Sequence, residues 1–243
     1  MRLVGARAVV ILRPRWLIDS RTTVKVESPI QDEGWKEAAA DFFKAIELEP
    51  ENHWNYFVLG PLLVQRGDLE AYHRLCAQIR TRFGGTTNDP SIADVLAKAC
   101  LILPSPGADL STESKLADVA VTVGKGNKFE AYFQFTKGLA EYRQGHFGSA
   151  ADWASRSRAT TNSWNGLQVA ACMVLAMSRH QLNQTDEARV ALSKGAEISQ
   201  TQLPELQSGD IGRQWFDWLI AHILMREAEA LIEDQPPQTP RGK

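Results

Sequence analysis

Long apolar runs are missing from this chain. No stretch approaches the roughly 18 apolar residues of a membrane helix, so no membrane span is expected. Cysteine is scarce: Cys76, Cys100 and Cys172 are three, an odd count at wide spacing, with no Cys-x-x-Cys pair. Neither a disulfide framework nor a structural zinc site is indicated, and a reducing, cytoplasmic setting is expected. Charge of one sign is also lacking. The net charge is −2 and the pI about 6.2, which gives no general field for nucleic acid or an anionic membrane.

Strand signals are nearly absent. VAVTV at 119–123 is β-branched but continues the helical run KLADVAVTV, and AVVIL at 8–12 has nothing obvious to pair with. Catalytic signatures are lacking too. Ser149 in GHFGSAAD is not a Gly-x-Ser-x-Gly elbow. TVGKGNK lacks the glycine and the Ser/Thr of a phosphate loop, and reads as a helix-ending turn. His73 and Cys76 lie one helical turn apart, but two ligands do not make a metal site; Cys76 reads as filling a small core gap. His146 reads as solvated and His222 as an interface or surface histidine. No catalytic residue, metal or cofactor is expected.

Helix signals dominate from residue 33 onward, and 44 % hydrophobic residues can bury a sizeable core. Asn52 and Asp68 are candidate caps, and Asp89-Pro90 is a strong helix start, since aspartate accepts free amides and proline suits the first helical position. Gly67, Gly124-Lys125-Gly126 and Gly145 are stops. Further helices are expected at about 90–103, 112–123, 127–144, 147–159, 164–182 and 186–199, the last capped by Thr185. A final helix is expected at about 211–233, with the apolar stripe Trp215, Trp218, Leu219, Ile223 and Leu231. About eleven helices and short loops predict an all-α fold. Residues 1–32 lack a helical stripe and carry Arg2, Arg7, Arg13 and Arg15 with no acid before Asp19; poor packing is expected there. The tail 234–243, QPPQTPRGK with the residue before it, is expected to be disordered.

The stretch EGWKEAAADFFKAIELEPEN places Trp35, Ala38, Phe42 and Ala45 ahead of Pro50. It resembles the second helix of a tetratricopeptide repeat, a 34-residue helix–turn–helix unit. NYFVLGPLLVQRGDLEAY resembles a first helix through Tyr56, Leu59, Gly60 and Leu63. Gly138, Ala140, Gly145, Phe147 and Ala150 repeat the pattern in KGLAEYRQGHFGSAADW. Leu175, Ala176, Ala188 and Leu192 repeat it more loosely. More narrowly, PLLVQRGDLEAYHRLC, FGGTTNDPSIADVLAKACLILP, KGLAEYRQG and WFDWLIAHILMREAEALI resemble the C-terminal tetratricopeptide-type region of large bacterial serine/threonine protein kinases and WD-repeat proteins, although no kinase motif is present.

The resemblance implies a right-handed α-solenoid over residues 33–233, with the last helix capping the last repeat. It implies a non-enzymatic scaffold whose concave groove receives a peptide or helix of a partner protein. The alternatives are a regulatory or substrate-positioning module detached from a bacterial kinase, and an enzyme built on helical repeats, which a buried cluster of titratable groups would favour. In such arrays first helices line the groove. The candidates are Trp54, Phe57, Tyr132, Phe135, Tyr142, Arg143, Met173, Met177 and His180. Two placements remain open for the helix before Gly145. Either Tyr132, Phe135, Leu139 and Tyr142 line the groove, or the helix is rotated and they enter the core in place of Gln134, Lys137 and Glu141. Residues 33–48 read as a second helix without its first, as in a fragment of a longer array or a chain with a misassigned start. Trp35, Phe42 and Ile46 are therefore expected to be exposed and to drive self-association.

Overall fold

The computed structural model describes residues 32–84, 87–103, 107, 109–160, 164–204 and 214–233. The expectations for residues 1–31 and for the tail lie outside these. Among the described residues there are ten α-helices and no strand: α1 (Asp32–Leu48), α2 (His53–Gln65), α3 (Leu69–Phe83), α4 (Pro90–Leu101), α5 (Ser111–Val123), α6 (Glu130–Arg143), α7 (Phe147–Ala159), α8 (Asn165–Gln181), α9 (Thr185–Gln202) and α10 (Trp215–Glu233). The all-α class read from the sequence is what the described residues adopt.

Local chemistry sets several boundaries. Asn52 Oδ1 accepts from Trp54 N at 3.2 Å, Asp68 Oδ1 from Ala71 N at 3.1 Å, and Asp89 Oδ1 from Ser91 N at 2.8 Å and Ile92 N at 3.2 Å. Each bond satisfies an amide that has no partner inside its helix. Gly67 and Gly145 end α2 and α6 at φ 70° and 80°, a region glycine enters without steric cost. Two expected helix starts differ. Thr185 is the first residue of α9, and the capping position falls on Gln184, whose side chain makes no capping bond. Asn127 organises a turn by accepting from Phe129 N, and α6 begins three residues later.

Consecutive helices from α1 to α9 pack as antiparallel neighbours would across short loops, and α2, α4, α6 and α8 also touch in succession, forming a row. Small residues allow the closest approaches. A Cβ added at Gly60 would lie 3.3 Å from Ala99 O, and one at Gly138 would lie 3.1 Å from Ala154 N and 3.3 Å from Ala150 O. Gly138→Leu would force α6 and α7 apart. A loss of about 1–3 kcal/mol is expected in urea unfolding; a neutral result would contradict the close approach.

The last helix departs from the capping role. α10 packs on α8 and α9, as a cap would, but it also packs on α2 at the other end of the row. Its first half is almost wholly buried, with Trp215, Trp218, Leu219, Ile220, Ile223 and Leu224 in the core, while in its second half Ala228 and Ile232 are buried and Arg226, Ala230 and Glu233 are exposed. This corrects the reading of α1 as an orphan with an exposed face. Trp35, Phe42 and Ile46 are buried, and Trp35 and Phe42 each lie 6.4 Å, ring centre to ring centre, from Trp215 of α10. The missing partner of α1 is supplied in part by a helix at the far end of the sequence. The expected self-association loses its stated basis with that patch covered.

Candidate functional site

α10 lies directly against α2 and α8 but reaches α4 and α6 through long polar side chains, and those contacts carry the chemistry. At its N-terminal end an aromatic cluster joins it to α2. Phe216 packs edge-on against Trp54 at 5.2 Å and Phe57 at 5.4 Å, and Trp54 and Phe57 lie 5.2 Å apart. Such pairs add about 0.5–1.5 kcal/mol each beyond their area burial.

Next to this cluster sits a closed set of polar groups. Lys98 Nζ donates to Asp94 Oδ2 at 3.0 Å, one turn back on α4, and Thr136 Oγ1 of α6 donates to the other oxygen of Asp94. The Lys98 ammonium lies over three rings, at 5.4 Å from Phe57, 5.0 Å from Tyr132 and 5.9 Å from Phe135. An ammonium taken out of water gains from the negative faces of such rings. Asp217 of α10 completes the set and accepts from the Tyr132 hydroxyl. Lys98 is 2 % exposed and Asp217 7 %.

Burial pushes the Asp217 carboxyl up from 3.8 to about 6; the Asp94 charge adds to the rise, while Lys98 and the Tyr132 hydroxyl oppose it. Burial likewise pushes the Tyr132 hydroxyl well up, with Asp217 and Asp94 adding to it. A carboxyl whose pKa is raised on folding stabilises the fold in its protonated form. That contribution is complete below 3.8 and is lost as pH rises through about 6. At about 1.4 kcal/mol per pH unit it amounts to roughly 3 kcal/mol. The stability of the wild type minus that of Asp217→Asn should therefore fall by about 2–3 kcal/mol between pH 4 and pH 7.5. A difference that stays flat would show that Asp217 is not desolvated.

Further along α10, Glu227 receives the fork of Arg143. Nη2 donates to Glu227 Oε2 at 2.7 Å and Nη1 to Oε1, while Nε donates to Leu101 O at 2.8 Å and Nη2 also to Ile102 O at 3.1 Å. The guanidinium thus caps the C-terminal carbonyls of α4 and holds α10 at once. Beyond it, Arg226 donates to Gln65 Oε1 of α2 at 2.9 Å.

The nine candidate residues fall into four groups. Trp54, Phe57, Tyr132, Phe135 and Arg143 meet α10 or the polar set beside it. Tyr142 is half-buried between Phe147 of α7, at 5.7 Å, and the Arg143 guanidinium, at 5.5 Å. Met173 turns towards α9, where its methyl group packs on Gly195, so it does not line the α10 side. Met177 is fully buried and His180 half-buried on α8. α6 is enclosed on both sides, with Tyr132 and Tyr142 half-buried. Phe135 and Leu139 are buried, and so are Lys137 and Glu141, which pair with each other and, for Lys137, with Asp118 of α5 at 2.7 Å.

Asp94, Lys98, Thr136, Asp217 and Glu227 were not among the sequence candidates. One signal was available: Asp94 and Lys98 stand four apart in the otherwise apolar PSIADVLAKACL, a spacing that pairs side chains on one helix face. Asp217 between Trp215, Phe216 and Trp218 was a second. A buried titratable cluster had been the mark of an enzyme, but Asp94, Lys98, Thr136 and Asp217 are each less than a tenth exposed and already partnered. Their contacts join α4 to α6 through Asp94 and Thr136, and α6 to α10 through Tyr132 and Asp217. Elsewhere, Cys76 is buried beside Cys100 and Tyr72, and His222 packs at a tilt against Trp218 at 4.2 Å, its pKa lowered by burial and by Arg226. No helix among the described residues is long and apolar enough to cross a membrane.

No family model matches this chain, and no curated protein matches it.

Proposed function

We propose that the chain is a non-enzymatic interaction module of tetratricopeptide type, a right-handed solenoid whose row of first helices α2, α4, α6 and α8 receives an amphipathic helix. One observation supports this most: an amphipathic helix, α10, already lies on that row. Its aromatic end meets Trp54 and Phe57 on α2, and its carboxylate meets the Arg143 fork on α6. A partner helix of another protein would take the same place, with α10 as the resident competitor. The rigid stack pre-organises the contacts, so little ordering cost remains at binding. The three free, buried thiols fit a reducing, cytoplasmic setting.

The test uses residues 214–233 fused to a soluble carrier as the added helix, and the full chain carrying Glu227→Ala as the recipient. That substitution removes the resident helix's claim on Arg143. Saturable 1:1 binding is expected, with faster amide exchange in the resident α10. A tethered helix competes at an effective concentration of about mM, so the wild type should bind more weakly. Absence of binding to the variant would defeat the reading.

A further inference from the structure

If the row receives a helix, the polar contacts of α10 specify which helices it accepts. Two acidic residues of α10 face the row, and they are held differently. Glu227 is gripped through both oxygens by Arg143, whose Nε also donates to the carbonyl of Leu101 and whose Nη2 also donates to that of Ile102. The Arg143 side chain is 5 % exposed, and no other carboxylate among the described residues pairs with it. An incoming helix without a carboxylate there would leave a buried guanidinium unpaired, one of the costlier defects an interface can contain. Asp217 differs. The one ammonium near it, Lys98, is already paired with Asp94, and Tyr132 offers it a neutral donor. A second negative charge at that position gains little.

We propose that Arg143 is the specificity determinant of the row. The accepted partner is an amphipathic helix with an aromatic N-terminal end and one obligatory carboxylate, placed ten residues (227 − 217) after a position that needs only a hydrogen-bond acceptor. The ten residues span about 15 Å, which carries the helix from the Lys98 end of the polar set to the Arg143 fork. Helices with lysine or arginine at the carboxylate position are rejected by like charge. This inference rests on the reading that the row receives a helix.

The carrier-fused helix 214–233 separates the two claims. Three fusions are titrated against the full Glu227→Ala chain at pH 7.5: the native sequence, one carrying Glu227→Gln and one carrying Asp217→Asn. The Glu227→Gln fusion should bind at least about 10-fold more weakly, the lower end for a hydrogen bond to a charged group. The Asp217→Asn fusion should bind as well as the native one or better. Adding Arg143→Ala to the recipient should remove the difference between the native and Glu227→Gln fusions. Binding of all three fusions with equal affinity, or equal losses at both acidic positions, would overturn the specificity assignment while leaving the helix-receiving row intact. No binding by any fusion would overturn both. Melting curves establish that each recipient is folded; should Glu227→Ala not fold, the wild-type chain serves as recipient at higher fusion concentration, with the same outcomes.

Discussion

Lys98→Met will destabilise the protein by about 3–5 kcal/mol at pH 7.5, the cost of removing one partner from a buried ion pair. Methionine keeps most of the side-chain volume and can pack against the rings of Phe57, Tyr132 and Phe135 that now surround the ammonium. The loss is therefore electrostatic. Asp94 would keep its bond from Thr136 but lose its counter-ion, and Asp217 would face Asp94 without the charge that now separates them. Acid should relieve the defect: burial and the Asp94 charge already raise the Asp217 pKa, and losing Lys98, which lowers it, raises it further, so Asp217 takes up a proton and one of two like charges is removed. The loss should shrink by more than 1 kcal/mol between pH 7.5 and pH 5. Urea unfolding at the two pH values measures this. Equal losses at both would show that Lys98 acts by packing, and a loss under about 1 kcal/mol would show that the pair is solvated.

Trp218→Ala will cost about 3–5 kcal/mol and loosen α10 before the rest of the chain. Trp218 is among the largest fully buried side chains, its Nε1 donates to Pro204 O at 2.8 Å, and its ring carries His222. Alanine removes the packing and orphans the carbonyl. In a chain of this size each kcal/mol moves the melting temperature by about 2–4 °C, so a drop on the order of 10 °C is expected. Amide exchange in α10 should accelerate more than in α8 or α9, because α10 depends on the row and the row has other contacts to hold it. Uniform acceleration through the chain would mean that α10 is inseparable from the stack and cannot serve as an exchangeable occupant.

What could be read from the sequence was what depends on near neighbours. The caps at Asn52, Asp68 and Asp89 are decided within three residues, and the glycine stops by a single backbone angle. Gly138 announced a close helix pair because few other reasons place glycine inside a helix. Thr185 misled because a hydroxyl beside two acidic residues looks the same whether it precedes the helix or begins it.

The partners of α1 and α10 were illegible for a different reason. An apolar stripe shows which face is covered and not by what. Trp35 and Trp215 are 180 residues apart (215 − 35), and nothing local in either helix names the other. The ion pair of Arg143 with Glu227, 84 residues on, is hidden in the same way. An arginine on the inner row reads equally as a handle for a partner or as a brace for the chain's own helix. Asp217 and Glu227 of α10 meet α6 through the long side chains of Tyr132 and Arg143, and buried charge collects there.

The central claim, that α10 occupies the row as a docked helix, is tested most directly by native-state hydrogen exchange in the full wild-type chain. Marked protection of the amides of residues 220–232, no higher than that of α8 (Asn165–Gln181), is the expected result, since Ile220, Ile223, Leu224, Ala228 and Ile232 are buried. Exchange of residues 220–232 within seconds, while α8 stays protected, would contradict it.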